Sequence, residues 1–270
     1  MIDDSKLYDL FQTALIAAQS AGKLIKHSSH NILHIDYKGR VNLVTEVDRR
    51  SEELIISIIH DSFPEHRILA EETDEIVGNS PYRWIIDPLD GTTNFVHGFP
   101  VYAVSIAVEF NGKIIIGVVF DPNRNELFSA IEDTGAFLNN KRLNVSQNKA
   151  LSDSLTATGF PYETGTAFEI NMKIFKSVYE VSQGIRRAGS AALDLCYVAA
   201  GRFDGFWEFG LNPWDVAAGA LIVKEAGGTV TCFRGNQFQT DKASEIIATN
   251  GRIHNELLQI INTKVVSKVL

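Results

Sequence analysis

The sequence has few cysteines, no excess of basic residues and no long apolar run. Its 270 residues include only Cys196 and Cys232, which permit at most one disulfide and indicate a reducing environment. Acidic residues outnumber basic ones by 33 to 25, and the resulting net charge of −8 argues against general nucleic-acid binding. No apolar segment approaches the roughly 18 residues of a membrane span, and the N-terminus lacks a signal-peptide pattern. We therefore expect a soluble, cytoplasmic protein that does not bind membranes.

Hydrophobic periodicity divides the chain into two parts. Residues 1–150 combine two amphipathic helices, near 4–26 and 46–60, with a mainly antiparallel sheet. Asn111-Gly112 joins two apolar runs of this sheet and predicts a tight hairpin. Residues 151–270 alternate helical and strand-like segments, which indicates α/β layering. We expect two tightly packed lobes with a ligand site between them.

The most informative stretch covers residues 84–95. A buried apolar strand is followed by two carboxylates, Asp87 and Asp90, while Pro88 fixes one backbone angle and Gly91 permits a sharp turn. The small residues that follow can begin a helical turn, whose free N–H groups bind phosphate well. Either Asp taken singly is explained as a turn or cap residue. The whole string favours a site, because capping does not require a second carboxylate.

Three further acidic positions resemble this stretch. Glu71 and Glu72 end another apolar strand, Asp215 starts a predicted helix, and Asp48 starts the second helix. Each has a structural alternative, which is a solvated strand end for the glutamates and a first-turn acid for the aspartates. Since the ligands are all hard oxygens, the pattern predicts Mg²⁺ or Mn²⁺ rather than zinc. Such cations beside a phosphate-binding turn predict hydrolysis of a phosphate ester.

These segments resemble the signature motifs of the inositol monophosphatase family, in the right order over about residues 5–262. The matching segments are 44–48, 71–72, 87–95, 187–192, the stretch leading to Glu208, 214–219 and 225–228. The resemblance implies an αβαβα sandwich of layered α+β or α/β type, with lobes at 1–150 and 151–270. It also implies Mg²⁺-dependent hydrolysis with two or three ions, sensitivity to lithium, and a homodimer.

The resemblance assigns metal ligands to particular residues. One metal is expected on Glu71, Asp87 and the backbone carbonyl of Leu89. A second is expected on Asp87, Asp90 and Asp215, and a weaker third contacts Glu71.

The resemblance also assigns the groups that act on phosphate and water. Gly91 and Thr92 are expected to hold the phosphate through backbone N–H groups and the Thr92 hydroxyl, beside Asp90. A Thr92–Asp48 pair, together with Glu71, is expected to position and deprotonate the attacking water.

The substrate is expected to be a small phosphate monoester. The 91–95 string most resembles the branch that cleaves inositol 1-phosphate to myo-inositol and phosphate. The resemblance implies that Glu208 and the Ala191 backbone meet the hydroxyl groups of the substrate. Glu208 also favours a polyol, because a carboxylate accepts hydroxyl hydrogen bonds and repels a second phosphate. Fructose 1,6-bisphosphate, 3′-phosphoadenosine 5′-phosphate and NADP remain alternative substrates. A non-catalytic regulatory binding protein on this scaffold is a further alternative, which the intact polar set disfavours.

Four basic residues have open roles at this stage. Lys38 lies near the position of a family lysine, although its spacing to Asp48 is one residue shorter than in some members. His97 follows the 87–95 motif closely, so its ring either faces the site or is exposed to solvent. Arg186 and Arg187 are candidates to compensate a second phosphate, or else are surface arginines or partners of the acidic site or of a dimer interface.

Overall fold

The structure, a computed structural model, describes residues 3–29, 35–37, 43–161, 164–242 and 244–266. Lys38, a candidate site residue, lies outside these ranges. The helices of the described chain are α1 (Asp4–Ser28), α2 (Glu46–Ser62), α3 (Thr92–Val96), α4 (Thr166–Tyr179), α5 (Ala191–Ala199), α6 (Pro213–Glu225) and α7 (His254–Val266). None of the described helices combines the length and apolar character needed to cross a membrane.

The first half forms a seven-stranded sheet, preceded by a small antiparallel pair, β1 (Ile35–Tyr37) and β2 (Leu43–Thr45). The sheet strands lie in sequence order: β3 (Arg67–Ala70), β4 (Tyr82–Asp90), β5 (Ala103–Phe110), β6 (Lys113–Asp121), β7 (Glu126–Ile131), β8 (Gly135–Leu138) and β9 (Lys141–Arg142). Only β3 and β4 are parallel, so the mainly antiparallel prediction is confirmed. The predicted hairpin joins β5 to β6, with Asn111 and Gly112 at φ of 52° and 82°.

The second half forms a mixed five-stranded sheet in the order β11-β10-β12-β14-β13. Its strands are β10 (Leu155–Thr158), β11 (Gly184–Arg186), β12 (Gly205–Phe209), β13 (Thr229–Thr231) and β14 (Glu245–Thr249). β10 pairs in parallel with β11 and β12, whereas β14 runs antiparallel to β12 and β13.

The two sheets and the helices stack as five layers, as predicted. α1 and α2 cover one face of the first sheet, α5 and α6 lie between the sheets, and α4 and α7 cover the second. Successive side chains of β4 point to opposite faces of the first sheet and contribute to two hydrophobic cores. Trp84 and Ile86 pack toward α1, while Ile85 packs toward α5 and α6 in the middle layer. The middle core also contains Phe206 and Ala248 of the second sheet, so one hydrophobic core joins both halves. The division into lobes at residue 150 stays a prediction.

One detail of β4 differs from the sequence-based expectation. The strand does not end with its apolar run at Ile86 but continues through Pro88 to Asp90. The register against β5 shifts between Asp87 and Asp90, so the proline lies at an irregularity where a missing N–H is tolerated. The two acids therefore sit on the bent end of a central strand.

The two cysteines do not form a disulfide. Both are free thiols, with the side chain of Cys196 buried and that of Cys232 half-buried.

Candidate active site

A cavity of about 320 Å³ lies where the ends of β4, α3, α5, β12 and α6 meet. It brings together nearly every residue that the sequence singled out. The predicted residues that line it are Glu71, Asp87, Leu89, Asp90, Gly91, Thr92, Ala191, Glu208 and Asp215. Asp48 does not line the cavity itself but contacts Thr92 from behind.

The first carboxylate of the motif serves two purposes. Asp87 Oδ1 accepts a 2.9 Å hydrogen bond from the Leu89 N–H, which is the turn contact expected of an Asp in a structural role. Asp87 is nevertheless 1% exposed and lies in the wall of the cavity. Because the turn uses only Oδ1 of Asp87, the other carboxylate oxygen of the same side chain is left to bind a ligand.

The phosphate-binding turn has the predicted geometry. Gly91 adopts φ of 97°, and a Cβ there would lie 2.9 Å from the Val101 carbonyl oxygen, so both conformation and space require glycine. α3 begins at the next residue, Thr92, and the Phe95 N–H donates to the Gly91 carbonyl at 3.0 Å. The first N–H groups of a helix have no partner within it, so those of this turn are suited to an anion.

Asp90 connects the two halves of the chain. Its Oδ2 accepts hydrogen bonds from the Ser190 hydroxyl at 2.6 Å and from the Ala192 N–H at 2.8 Å. Ser190 is also the N-cap of α5, where its hydroxyl accepts from the Leu193 N–H. The start of α5 thus fixes Asp90 beside the cavity, and a carboxylate at a helix N-terminus is favoured by the helix dipole.

Asp48 is both a helix cap and a site residue. Its Oδ2 accepts from the Thr45 N–H at 2.9 Å and from the Thr45 hydroxyl at 2.5 Å, which completes a capping box at the start of α2. Its Oδ1 accepts a 2.8 Å hydrogen bond from the Thr92 hydroxyl. The structural alternative and the expected Thr92–Asp48 pair are therefore both present.

Asp215 at the start of α6 is likewise both a helix-capping residue and a site residue. Its Oδ2 accepts a 2.6 Å hydrogen bond from the Asn212 N–H, so it contributes to the helix start while lining the cavity. The first-turn position places this carboxylate opposite the end of β4.

The acids are close enough to repel one another. Burial raises the pKa of Asp87 well above its usual value, and three neighbouring carboxylates raise it further: Glu71, Asp90 and Asp215. Burial likewise raises the pKa of Asp215 well above its usual value, with Asp90 and Glu71 adding to the effect. The pKa of Asp90 rises to about 6 because of burial, although its hydrogen bonds to α5 oppose the shift.

These properties fit a divalent cation. In the described ranges, no group of three or more His, Cys, Asp or Glu side chains converges as a ready metal site. The mutual repulsion of several acids in one cavity is nevertheless what a cation relieves. Asp87, Asp90 and Asp215 are each anchored through one oxygen to a backbone N–H, so they offer oriented oxygen donors.

Comparison with known proteins agrees with this site. The inositol monophosphatase family matches residues 7–266 of the chain. The chain belongs to the inositol monophosphatase family. Nus factor SuhB of Vibrio cholerae is 46% identical over 269 residues, covering 98% of this chain and 100% of that protein. An inositol-1-monophosphatase of Synechocystis is 44% identical over 259 residues, covering 95% and 90%. Family membership supports phosphatase activity.

Solved structures of family members share the fold. The extragenic suppressor protein suhB of Bartonella henselae superposes with a TM-score of 0.90 at 41% identity, covering 94% of this chain and 98% of that one. SaIMPase-II bound to inositol monophosphate superposes with a TM-score of 0.81 at 28% sequence identity, covering 96% of this chain and 97% of that one. An IMPase/NADP phosphatase complexed with Mg²⁺ and phosphate superposes with a TM-score of 0.82 at 25% sequence identity, covering 96% of this chain and 95% of that one.

One end of this family member's cavity is formed by β12 and the start of α5. Burial, with Asp215 nearby, raises the pKa of the half-buried Glu208 to about 8. The Glu208 carboxyl lies against the backbone of Gly159, where an added Cβ would overlap its Oε1. Arg187 lines the same end, and its charge lowers the pKa of both Glu208 and Asp90. Arg187 is therefore a partner of the acidic site, one of the alternatives raised above.

Two of the other candidates lie away from the cavity. His97 is exposed at the end of α3, and Arg186 is exposed on β11, and neither side chain lines the cavity. Neither position supports a direct role in the site.

Sequence analysis missed Ser190, Asn212 and Asp194. Ser190 and Asn212 act through hydrogen bonds to Asp90 and Asp215. Asp194 lines the cavity and is 1% exposed. The sequence does contain a sign of this role, because Asp194 is the one charged residue in the otherwise apolar stretch 191–199.

Proposed function

We propose that this protein is a Mg²⁺-dependent phosphomonoesterase that hydrolyses inositol 1-phosphate to myo-inositol and phosphate. The observation that carries the proposal is the shared cavity of Glu71, Asp87, Asp90 and Asp215 beside the Thr92–Asp48 hydrogen bond. Family membership, together with solved relatives bound to inositol monophosphate or to Mg²⁺ and phosphate, supports it.

The metal ligands proposed here are the four acids and the Leu89 carbonyl. Glu71, Asp87 and Leu89 form one group, while Asp87, Asp90 and Asp215 form a second, and Mn²⁺ is a possible substitute for Mg²⁺. When bound, such cations acidify water and neutralise charge on the phosphate and the leaving oxygen. We propose two or three ions, with Glu71 shared between the first and a weaker third.

The remaining groups orient the phosphate and the attacking water. We propose that the N–H groups of Gly91 and Thr92 bind phosphate oxygens, since they face the cavity at the start of α3. Thr92, aligned by Asp48, and the Glu71 carboxylate position the water and take its proton. In-line attack gains most of its rate from such positioning, so no Ser or Cys nucleophile is required.

At the other end of the cavity, Glu208 and the Ala191 backbone are proposed to bind the hydroxyl groups of the substrate. The carboxyl oxygens of Glu208 accept hydrogen bonds from hydroxyl groups, so a polyol monophosphate suits this end of the cavity.

A substrate panel tests this proposal. Phosphate release is measured from inositol 1-phosphate, fructose 1,6-bisphosphate, 3′-phosphoadenosine 5′-phosphate and NADP, each with Mg²⁺, with EDTA and with added Li⁺. We expect inositol 1-phosphate to be cleaved best, and only with the metal, with inhibition by Li⁺. Full activity after complete metal removal would disprove the mechanism, and a preference for another ester would reassign the substrate.

A second candidate function is that of a regulatory binding protein, because several close relatives are called Nus factor SuhB rather than phosphatase. The two functions are compatible, since an active enzyme can also bind a partner. A protein that cleaves none of the four esters, yet binds one specific partner whether or not its acids are replaced, would favour this role alone.

We also propose that the protein is a cytoplasmic homodimer. The free thiols of Cys196 and Cys232 support a reducing compartment. Light scattering on the purified chain tests the dimer, and a monomer at all concentrations would contradict it.

A further inference from the structure

α2 carries two buried polar side chains that the proposed mechanism does not use, Ser51 and Glu52. They follow Asp48 by three and four residues, so helical spacing places all three on one face of the helix. Ser51 is 0% exposed and Glu52 is 1% exposed. Because burying a polar group is costly unless it is hydrogen-bonded, the partners of these two side chains indicate what they do.

Ser51 forms its hydrogen bond outside its own helix. A serine within a helix commonly donates to the carbonyl four residues earlier, as Ser28 of α1 does to Leu24 at 2.9 Å. The Ser51 hydroxyl instead donates a 2.8 Å hydrogen bond to the Pro88 carbonyl, 37 positions away. In the described sheet register, Pro88 has no partner in either β3 or β5. Ser51 therefore binds a backbone carbonyl at the irregular end of β4.

This contact holds one peptide unit of the acidic motif at both ends. Ser51 binds the Pro88 carbonyl, and the N–H of the same peptide unit, that of Leu89, donates to Asp87 Oδ1 at 2.9 Å. The next carbonyl, that of Leu89, accepts from the Thr92 hydroxyl at 3.1 Å, and Leu89 lines the cavity. Because a peptide unit is planar, holding its two polar ends restricts the orientation of Asp87 and of the Leu89 carbonyl.

Glu52 makes a comparable contact at the end of β3. Its Oε2 accepts a 2.9 Å hydrogen bond from the Glu72 N–H, which belongs to the peptide unit directly after Glu71. Glu71 itself lines the cavity. Adjacent positions of α2 therefore hold the two backbone segments that carry Glu71, Asp87 and the Leu89 carbonyl, which form the first of the two proposed ligand groups.

The acids that belong only to the second ligand group are oriented by other helices. Asp90 is held by the start of α5, through Ser190 and Ala192, and Asp215 is held by Asn212 at the start of α6. These contacts do not involve α2. A change in the buried polar face of α2 should therefore weaken the first group while Asp90 and Asp215 keep their hydrogen bonds.

We propose that Ser51 and Glu52 are positioning residues that hold Glu71, Asp87 and the Leu89 carbonyl in place for the first cation. The inference rests on the proposed Mg²⁺-dependent phosphatase function. Neither side chain lines the cavity, so each acts through the backbone segment that it holds. Loss of an outer partner of a metal ligand typically lowers metal affinity by about 10- to 100-fold.

Ser51→Ala tests the proposal, and we expect this variant to fold because it removes only a hydroxyl group. Calorimetric titration of the intact protein with Mg²⁺ alone is expected to show about tenfold weaker binding. The Mg²⁺ concentration for half-maximal phosphate release should rise similarly, while KM for inositol 1-phosphate at saturating Mg²⁺ stays as in the wild type. The same shift is expected with phenyl phosphate, whose leaving group has no further hydroxyl, because the change concerns the cation.

Ser154→Ala is the matched control. Ser154 is also 0% exposed, and its hydroxyl donates a 2.8 Å hydrogen bond to the Ala150 carbonyl, outside the cavity lining. Both variants are expected to lower the melting temperature, but only Ser51→Ala should change Mg²⁺ binding. Equal Mg²⁺ affinities in the two variants would show that Ser51 is only structural and would overturn the proposal.

Glu52 is tested by two substitutions. Glu52→Gln keeps an oxygen that can accept from the Glu72 N–H, so its Mg²⁺ affinity is expected to stay close to that of the wild type. Glu52→Ala is expected to lose about tenfold in affinity. Glu256→Ala is the control, because it removes a hydrogen bond of the same kind and length, to the Leu151 N–H. Equal affinities in Glu52→Ala and Glu256→Ala, or equal losses in Glu52→Ala and Glu52→Gln, would refute the positioning role of Glu52.

Calorimetry separates failure of this inference from failure of the proposed function. A wild-type protein that binds Mg²⁺ but releases phosphate from neither ester refutes the phosphatase function, and the titration of Ser51→Ala still decides the positioning role. A wild-type protein that binds no Mg²⁺ overturns both.

Discussion

The Thr92 hydroxyl donates a 2.8 Å hydrogen bond to Asp48 Oδ1, although the two residues are 44 positions apart. The other oxygen of the same carboxylate caps α2 through Thr45. One side chain therefore begins a helix and aligns a hydroxyl at the cavity. This double use links the stability of α2 to the geometry of the site.

Asp48→Asn tests that link. The amide has one acceptor oxygen instead of two, so it cannot serve both Thr45 and Thr92 as the carboxylate does. We expect kcat for inositol 1-phosphate to fall by about 100-fold, the usual effect of losing a positioned base, with little change in KM. Loss of the cap is expected to lower the unfolding free energy by about 1 kcal/mol.

The control is Glu46→Gln, which removes an exposed first-turn acid from the same helix. Steady-state kinetics and urea unfolding are measured for both variants. Equal kinetics in Asp48→Asn and Glu46→Gln would refute the role of the Thr92–Asp48 pair.

Asp90→Asn is expected to abolish most activity while the protein stays folded. The amide keeps an oxygen for the Ser190 hydroxyl and Ala192 N–H, but it removes the charge that a cation requires. We expect phosphate release to fall by more than about 100-fold, since loss of an outer partner alone reaches that size. Circular dichroism checks the fold, and full activity in this variant would exclude Asp90 as a ligand.

Gly159→Ala is expected to change substrate binding rather than folding. The added methyl overlaps the end of the flexible Glu208 side chain, which must move from its place at the cavity. We expect KM for inositol 1-phosphate to rise by about tenfold and phenyl phosphate to be unaffected. Gly165→Ala is the matched control, because a Cβ there meets nothing within 4 Å; similar KM values in both variants would contradict the placement of Glu208.

The metal-free protein is expected to become less stable as the pH rises. Burial raises the pKa of Asp90 from 3.8 to about 6 and that of Glu208 from 4.5 to about 8, so the folded state binds more protons than the unfolded state between these values. Stability from these groups is therefore full below about pH 4 and lost as the pH rises toward about 8. Mg²⁺ competes with protons, so it should stabilise the protein more at high pH.

Thermal melts in EDTA and in Mg²⁺, at about pH 5.5 and about pH 8.5, measure both effects across that window. Glu208→Gln should flatten the EDTA profile at its upper end. A melting temperature in EDTA that rises over this interval, or a Mg²⁺ shift of equal size at both pH values, would contradict the prediction.

The long amphipathic helices could be predicted within a few residues, because apolar spacing in α1 and α2 reports the buried face directly. The tight β5–β6 hairpin followed from Asn111-Gly112 for a similar local reason. The short strands β8 and β9, the last two of the first sheet, have too few residues to show a period, so sequence analysis gave no expectation for them.

At the site, the residue types and the strand end were predictable, but the connections were not. The Ser190–Asp90 contact spans 100 positions, and no local pattern encodes such a pairing. The structural alternatives for Asp48, Asp87 and Asp215 also proved compatible with a site, because each carboxylate has a second oxygen. Sequence reasoning treated these as competing explanations, whereas the fold uses both.

α6 lies with its backbone almost in contact on two sides. A Cβ on Gly117 of β6 would lie 2.7 Å from the Ala218 carbonyl oxygen, and a Cβ on Gly219 would lie 2.7 Å from Leu195 of α5. Close contacts on both sides, one with the backbone of β6 and one with a side chain of α5, resist sliding of α6 between its neighbours. We therefore expect Asp215, in the first turn of α6, to keep its distance from the end of β4 whether or not the cavity is occupied.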